Sequence, residues 1–169
     1  MRDQFVLLID GMTGSGKTTA TQYLAQHLPR TAIIGFDKIK RFVTDFERGT
    51  RDNAIAREVT YVMAQKYLDL GLSLIVDQPI SDPSEVVRYE ELAQKHSLPC
   101  HKFQLFAAPN IAYSRVIERQ KDREHKVPEE RIQRNIGLFQ KKDDLGFTLI
   151  DTSELIAGQA GEMILKAIR

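Results

Sequence analysis

The chain carries a single cysteine, Cys100, among its 169 residues, so no internal disulfide and no multi-cysteine zinc site is available to it. Cys100 sits beside an apolar run and reads as a small buried hydrophobe. No apolar stretch approaches the length of a membrane span. The first one, Phe5 to Ile9, is also too short for a secretory signal, so a reducing cytoplasm is the expected compartment. Charge of one sign is missing as well. With a net charge of +1, nothing global argues for a protein that wraps DNA or coats a membrane, and any basic function must be local. There is no internal repeat and no low-complexity linker. What remains is the composition of a soluble globular chain, 42% apolar and 28% charged, of a length that fits one domain over 1–169 with a proper core.

What the chain does have is punctuated order. Five β-rich runs, FVLLI at 5–9, TAIIGF at 31–36, LSLIVD at 72–77, CHKFQLFA at 100–107 and FTLID at 147–151, alternate with helical patterns. Between them the apolar spacing switches to three and four: Ala56, Val59, Met63, Tyr67 and Leu70 make one predicted face. Ile132, Ile136 and Phe139 make another, and Ile156, Ala160, Met163 and Ala167 a third. Gly71 stands where a helix-ending glycine belongs. Strand and helix in alternation predict an α/β fold of three layers, a five-stranded parallel sheet with helices on both faces. Ligands of such sheets bind outside the carboxyl ends of the strands. The residues to inspect are therefore those that follow each run.

After the first run comes GMTGSGKT, the pattern G-x-x-x-x-G-K-[ST] on Gly11, Gly16, Lys17 and Thr18. Its glycines allow positive φ and let backbone N–H groups converge on an anion. The helix that follows adds unsatisfied N–H groups and its positive dipole end. Gly11, Met12, Thr13, Gly14, Ser15, Gly16, Lys17, Thr18 and Thr19 are thus the predicted nucleotide-phosphate site. Lys17 is placed to reach the β and γ phosphates of ATP, and Thr18 to offer its hydroxyl to Mg²⁺.

After the second run stands Asp37, with Lys40 and Arg41 following; its place at the carboxyl end of a strand makes it a candidate site residue, or it caps the next helix. The third run ends in Asp77, four apolar residues and then a carboxylate suited to Mg²⁺ or its water shell, or a plain turn aspartate before Pro79. Following the fourth run, Arg115 and Arg119 lie four apart on one helical face, ahead of Lys121, Arg123 and Lys126; interleaved Glu118, Asp122 and Glu124 could pair with them. Asp151, Thr152 and Ser153 follow the fifth run, as one more strand-end segment or as a helix start. His27, His96, His101 and His125 show no metal spacing. A guanine-binding N-K-x-D is absent, and D-x-x-G occurs only as DDLG at 143–146, too late for a GTPase.

Taken together, these motifs resemble the small P-loop kinases grouped around polynucleotide kinase and zeta toxin, within the AAA-type ATP-binding domain family. The resemblance covers essentially the whole chain, although only the phosphate loop is highly specific. It implies an ATP- and Mg²⁺-dependent kinase. In it Asp37 would accept or orient the proton of the acceptor hydroxyl, Lys40 or Arg41 would hold substrate, and Asp77 would face metal or acceptor. Arg115 would lie near the adenine, and Arg119 or Arg123 would act from a basic lid around 119–128. Polynucleotide kinases carry arginine at the third position after the aspartate; here it is Lys40, which weakens a nucleic-acid acceptor. Two alternatives stay open: a nucleoside or nucleoside-monophosphate kinase, suggested by the wording IDGMTGSGKTT, and a regulatory ATPase or nucleotide-gated binding module without a small acceptor. The acceptor itself is not named by the sequence. Arg41, Arg48, Arg51 and Arg57 suit an anion, yet Asp45, Glu47, Asp52 and Glu58 nearly cancel them.

Overall fold

The first strand, β1 (Val6–Gly11), is buried along its whole length, which is what a strand flanked on both faces requires. Leu7, Leu8 and Ile9 are fully enclosed, and each contributes on the order of 2 kcal/mol of burial. The computed structural model describes residues 4–47, 49–121, 124 and 126–169. Its strands β1, β2 (Thr31–Ile34), β3 (Ser73–Asp77), β4 (Cys100–Phe106) and β5 (Thr148–Asp151) form one five-stranded parallel sheet in the order β2-β3-β1-β4-β5. The α/β class and the five strands predicted from the sequence are all present.

Packing divides the chain into two compact units, Met1–Leu8 with Ala25–His101, and Ile9–Leu24 with Lys102–Arg169. In the first, β2 and β3 pair from Thr31↔Ser73 to Ile34↔Val76. The short α2 (Phe36–Ile39) continues into a 3-10 turn at Lys40–Phe42, and the long α3 (Thr50–Asp69) follows. Gly71, at φ 77°, ends that helix as expected. The predicted apolar face of α3 is rotated, however. Its buried residues are Ala56, Thr60, Ala64 and Leu68, whereas Val59 and Leu70 are exposed. Thr60 is admitted because its hydroxyl donates to the Ala56 carbonyl at 2.7 Å, so a polar side chain is buried without an unmet bond. Helix α4 (Pro83–Lys95) starts on Asp82, whose carboxylate accepts from the Ser84 N–H at 2.9 Å, with Pro83 at the first helical position.

In the second unit, α1 (Lys17–His27) opens directly from the glycine loop. Strands β4 and β5 pair from Phe103↔Thr148 to Phe106↔Asp151. Helices α5 (Pro109–Arg119) and α6 (Glu129–Gly137) close on a core of Met12, Ala107, Ala112, Val116, Ile132 and Ile136, with Phe139 packed against it, as the spacing predicts for that face. The last predicted face is shifted. In α7 (Gln159–Ala167) the enclosed residues are Ala160, Gly161, Ile164 and Leu165, and Ile156 lies exposed outside the helix. Gly161 sits against Tyr23 and the Ala20 carbonyl, where a Cβ would collide, and this close approach sets the face. Cys100, expected to be buried, is partly exposed at the start of β4. No described helix is long and apolar enough to cross a membrane.

Candidate active site

The glycine loop has the backbone that its residue types imply. Gly14 and Gly16 adopt φ of 81° and 88°, in the left-handed region. A Cβ on Gly14 would strike the Ala112 carbonyl, so this glycine is needed for space as well as for conformation. At Gly16 the same atom would meet nothing within 4 Å; the conformation alone demands glycine there. Ala20 N–H donates to the Gly16 carbonyl at 2.9 Å, so α1 begins on the loop and its first N–H groups have no partner within the helix. The Ser15 hydroxyl is buried without a hydrogen-bond partner. An orphaned hydroxyl in a concavity of left-handed glycines beside a helix N-terminus fits a phosphate.

Met12 is in the loop for a different reason. Its side chain is 5% exposed and its sulfur accepts from the Ala107 N–H at 3.4 Å; its own N–H donates to the Leu105 carbonyl at 3.2 Å. It anchors the loop to β4. Lys17 Nζ donates to the Gly11 carbonyl at 2.8 Å, folded back along the loop, and Thr18 and Thr19 are exposed on the first turn.

Next to the loop is a cleft of about 160 Å³ lined by Ser15, Gly16, Thr19, Arg115, Thr152 and the turn 155–158. Arg115 donates to the Thr152 hydroxyl at 3.2 Å and to the carbonyls of Thr152, Ser153 and Leu155 at 2.8, 3.4 and 3.3 Å. The Thr152 hydroxyl lies 2.9 Å from the carbonyls of both Ser15 and Phe106. The segment after β5 therefore belongs to the wall of the phosphate loop, and no helix starts at Ser153. Instead the Ser153 hydroxyl and N–H donate to Asp151, which lowers that carboxyl below its ordinary range, and Ser153 Oγ accepts from Ala108 N–H at 2.8 Å. Arg119 ends α5 in an exposed position. Arg48, Asp122, Arg123 and His125 lie outside the described residues.

The predicted acceptor residues lie in the other unit. Asp37 does not cap α2: the residue before that helix is Gly35, and Asp37 stands inside the first turn with its side chain 65% exposed. Its carboxylate pairs with Lys40 Nζ at 2.7 Å, and Lys40 also donates to Asn53 Oδ1 at 3.0 Å. Lys40 is thus held between two partners, whereas Arg41 is exposed. Asp77 ends β3 partly exposed, and its carbonyl lies so close to Gly35 that no Cβ fits between them. Behind it, Gln78 is 2% exposed; it accepts from Phe36 N–H at 3.3 Å and donates to Glu85 at 3.0 Å. Burial raises the Glu85 carboxyl above its usual range, while its ion pair with Arg57 pulls it back.

Sequence reasoning missed Asn53, Gln78 and Glu85, since polar residues on helices and strand ends look solvated until the fold places them. It also missed Asp10, which is 3% exposed and accepts from Gln104 at 2.9 Å and from Lys142 at 2.5 Å. A charge closing an otherwise apolar strand was the available signal. Among the described residues, no group of three His, Cys, Asp or Glu side chains could hold a metal ion. Mg²⁺ held mainly by phosphates, water and one hydroxyl needs no such cage.

Comparison with solved structures places this geometry among known folds. The chain superposes on a tunicamycin resistance protein of Deinococcus radiodurans with a TM-score of 0.68 at 20% identity, over 98% of this chain and 95% of that one. A sugar kinase from Janibacter sp. HTCC2649 gives a TM-score of 0.65 at 16% identity, over 96% and 93%. A chain of the Pnkp1/Rnl/Hen1 RNA repair complex gives 0.61 at 12%, over 81% of this chain but 44% of that one. At these identities the likeness is one of fold. No curated protein sequence matches the chain. The family model for the AAA domain matches residues 6–141, from the first strand through the glycine loop to the segment beyond α6. On that match, which takes in well over half of its length, the chain belongs to the AAA domain family.

Proposed function

We propose that the protein is an ATP-dependent phosphotransferase acting on a hydroxyl acceptor. The observation that carries this reading is the loop 11–18, with its two left-handed glycines, its orphaned Ser15 hydroxyl and the start of α1 beside the Arg115–Thr152 cleft. The sugar kinase and the RNA repair complex among the structural neighbours support it. ATP is the donor: loop amides and Lys17 take the β and γ phosphates, Lys17 exchanging its bond to Gly11 for them, and the base lies toward Arg115 and Thr152. Mg²⁺, when bound, offsets charge on the phosphates; Thr18 would supply a hydroxyl, and Asp77 a carboxylate to the metal or to the acceptor.

Phosphoryl transfer passes through a loose transition state, so positioning and charge neutralisation do most of the catalysis. Asp37 takes the proton of the acceptor hydroxyl, whose oxygen bonds to the γ phosphorus as the bond to the β-bridging oxygen breaks and ADP leaves. Lys40 and Arg41 serve the acceptor, Lys40 through its grip on Asp37. Arg119, with Arg123 as second candidate, supplies a guanidinium fork for charge spread over the transferring oxygens. The natural compartment for such chemistry is a cytoplasm supplied with ATP.

The test is ATP consumption with Mg²⁺ over a panel of hydroxyl compounds, using Lys17→Ala as the blank. Acceptor-dependent ADP release that Asp37→Asn reduces by about a hundredfold or more supports the reading. ATP turnover that ignores both the acceptor and Asp37→Asn would instead mark a regulatory ATPase.

A further inference from the structure

Two of the predicted acceptor residues, Asp37 and Lys40, belong with Arg57 and Glu85 to one charge-matched surface around the Phe36 ring. Lys40 Nζ stands 4.6 Å from the ring centroid and the Arg57 guanidinium carbon 4.3 Å. Each cation has its own carboxylate: Lys40 pairs with Asp37, and Arg57 with Glu85. Neutral groups complete the surface. Asn53 Oδ1 accepts from Lys40, Ser81 Oγ accepts from Arg57 at 3.1 Å, and the Gln78 amide donates to Glu85. Beyond them Arg88 grips Glu58 with both terminal nitrogens, at 2.5 and 3.0 Å.

This arrangement bears on what the acceptor carries. A phosphate or carboxylate is captured by cations in surplus, and here Lys40 or Arg57 would first have to release a carboxylate. Releasing Glu85 is the costlier case. Its side chain is only 12% exposed, and burial already works against its charge; a second anion beside it would add repulsion to that desolvation. Arg41 and Arg51 are solvent-exposed, where a lone charge binds weakly.

We propose that the acceptor is an uncharged, hydroxyl-rich small molecule of the sugar or polyol class, recognised by Asn53, Arg57 and Ser81. A hydroxyl both donates and accepts, and this surface offers both: guanidinium and amide N–H groups beside carboxylate and hydroxyl oxygens. The proposal rests on the phosphotransferase reading and narrows it; the transfer step is the one given above.

The experiment pairs each neutral acceptor with phosphates at two different hydroxyls, so that one of them always keeps the acceptor hydroxyl and only that one is compared: glucose with glucose 1-phosphate and glucose 6-phosphate, ribose with ribose 1-phosphate and ribose 5-phosphate, uridine with its 3′- and 5′-monophosphates; a 5′-hydroxyl oligonucleotide is run beside them. Product mass and ADP release are read with the full chain and Mg-ATP. Expected is a kcat/KM for a neutral member at least about tenfold above that of its phosphorylated partner. Its KM should also change less than about twofold between low and roughly 0.3 M salt, because no net charge is being captured. Glu85→Gln, which frees Arg57, should narrow that ratio. Asn53→Ala should raise the neutral acceptor's KM by about tenfold while the KM for ATP stays unchanged, a split that general loss of structure does not produce. Preference for the phosphorylated partners or for the oligonucleotide overturns the proposal and leaves the phosphotransferase standing. Tight ATP binding with no transfer to any acceptor overturns the phosphotransferase itself, and this inference with it.

Discussion

Arg115 binds Thr152 twice, through the hydroxyl oxygen at 3.2 Å and the carbonyl at 2.8 Å, and Thr152 in turn reaches the Ser15 carbonyl inside the phosphate loop. One guanidinium on α5 thereby fixes both the segment after β5 and one edge of the loop. It satisfies carbonyls that no strand or helix serves, and a planar fork of donors can do so at several oxygens together.

Replacing Arg115 with alanine should therefore loosen the cleft more than the fold. The expected result is a rise in the KM for ATP of about tenfold, equal to about 1.4 kcal/mol, with a smaller change in kcat. Lysine should not restore it, because one ammonium cannot meet carbonyls that the fork reaches in several directions. Steady-state kinetics on both variants checks this.

Gly14 and Gly16 make a contrasting pair. Alanine at Gly16 meets open space and incurs only the left-handed conformation, about 1 kcal/mol; alanine at Gly14 adds a collision with the Ala112 carbonyl. Urea unfolding should show Gly14→Ala as less stable than Gly16→Ala by about 1–2 kcal/mol. Equal losses would mean that α5 shifts to make room.

The phosphate loop was legible because its chemistry and its local structure are written in consecutive residues, GMTGSGKT. The strands were legible too, since buried parallel strands read as apolar runs. Helix faces were less so. On α3 a face through Val59 and Leu70 counted hydrophobicity, whereas the fold buries Ala56, Thr60, Ala64 and Leu68, small residues and one self-satisfied threonine that permit close packing. Asp37 could be found by its position after a strand, but its bond to Lys40, and that of Lys40 to Asn53, depend on where α2 meets α3, which no local pattern encodes. The same holds for Gln78 and Glu85, polar residues enclosed only once α4 is in place.

His101 gives a pH dependence. It packs edge-on to Phe5 with ring centroids 6.5 Å apart, and burial lowers its pKa from the ordinary 6.5. The unfolded chain then binds a proton more readily than the folded one. The stability associated with a neutral His101 is present above pH 6.5 and is lost as the pH falls through the folded-state value. His101→Gln should therefore lose less stability than the wild type between about pH 7.5 and 5. Urea midpoints at the two pH values test this, and parallel losses would refute it.

Asp10, which is buried, and Lys142, which is partly so, form an ion pair whose energetics depend on which partner is removed. Asp10 is 3% exposed, Lys142 Nζ lies 2.5 Å from it, and Gln104 supports the arrangement by donating to Asp10 and accepting from the Lys142 N–H at 3.2 Å. Lys142→Met takes this ammonium away from the enclosed Asp10 carboxylate, which should cost about 3–5 kcal/mol. Asp10→Asn in the same chain removes the enclosed negative charge and keeps an acceptor for Gln104, so the double variant should recover about 2 kcal/mol or more of that loss. The comparison isolates charge from packing, because both variants lack the same lysine. If the double variant is no more stable than Lys142→Met alone, Lys142 contributes through its aliphatic stem and the ion pair is incidental.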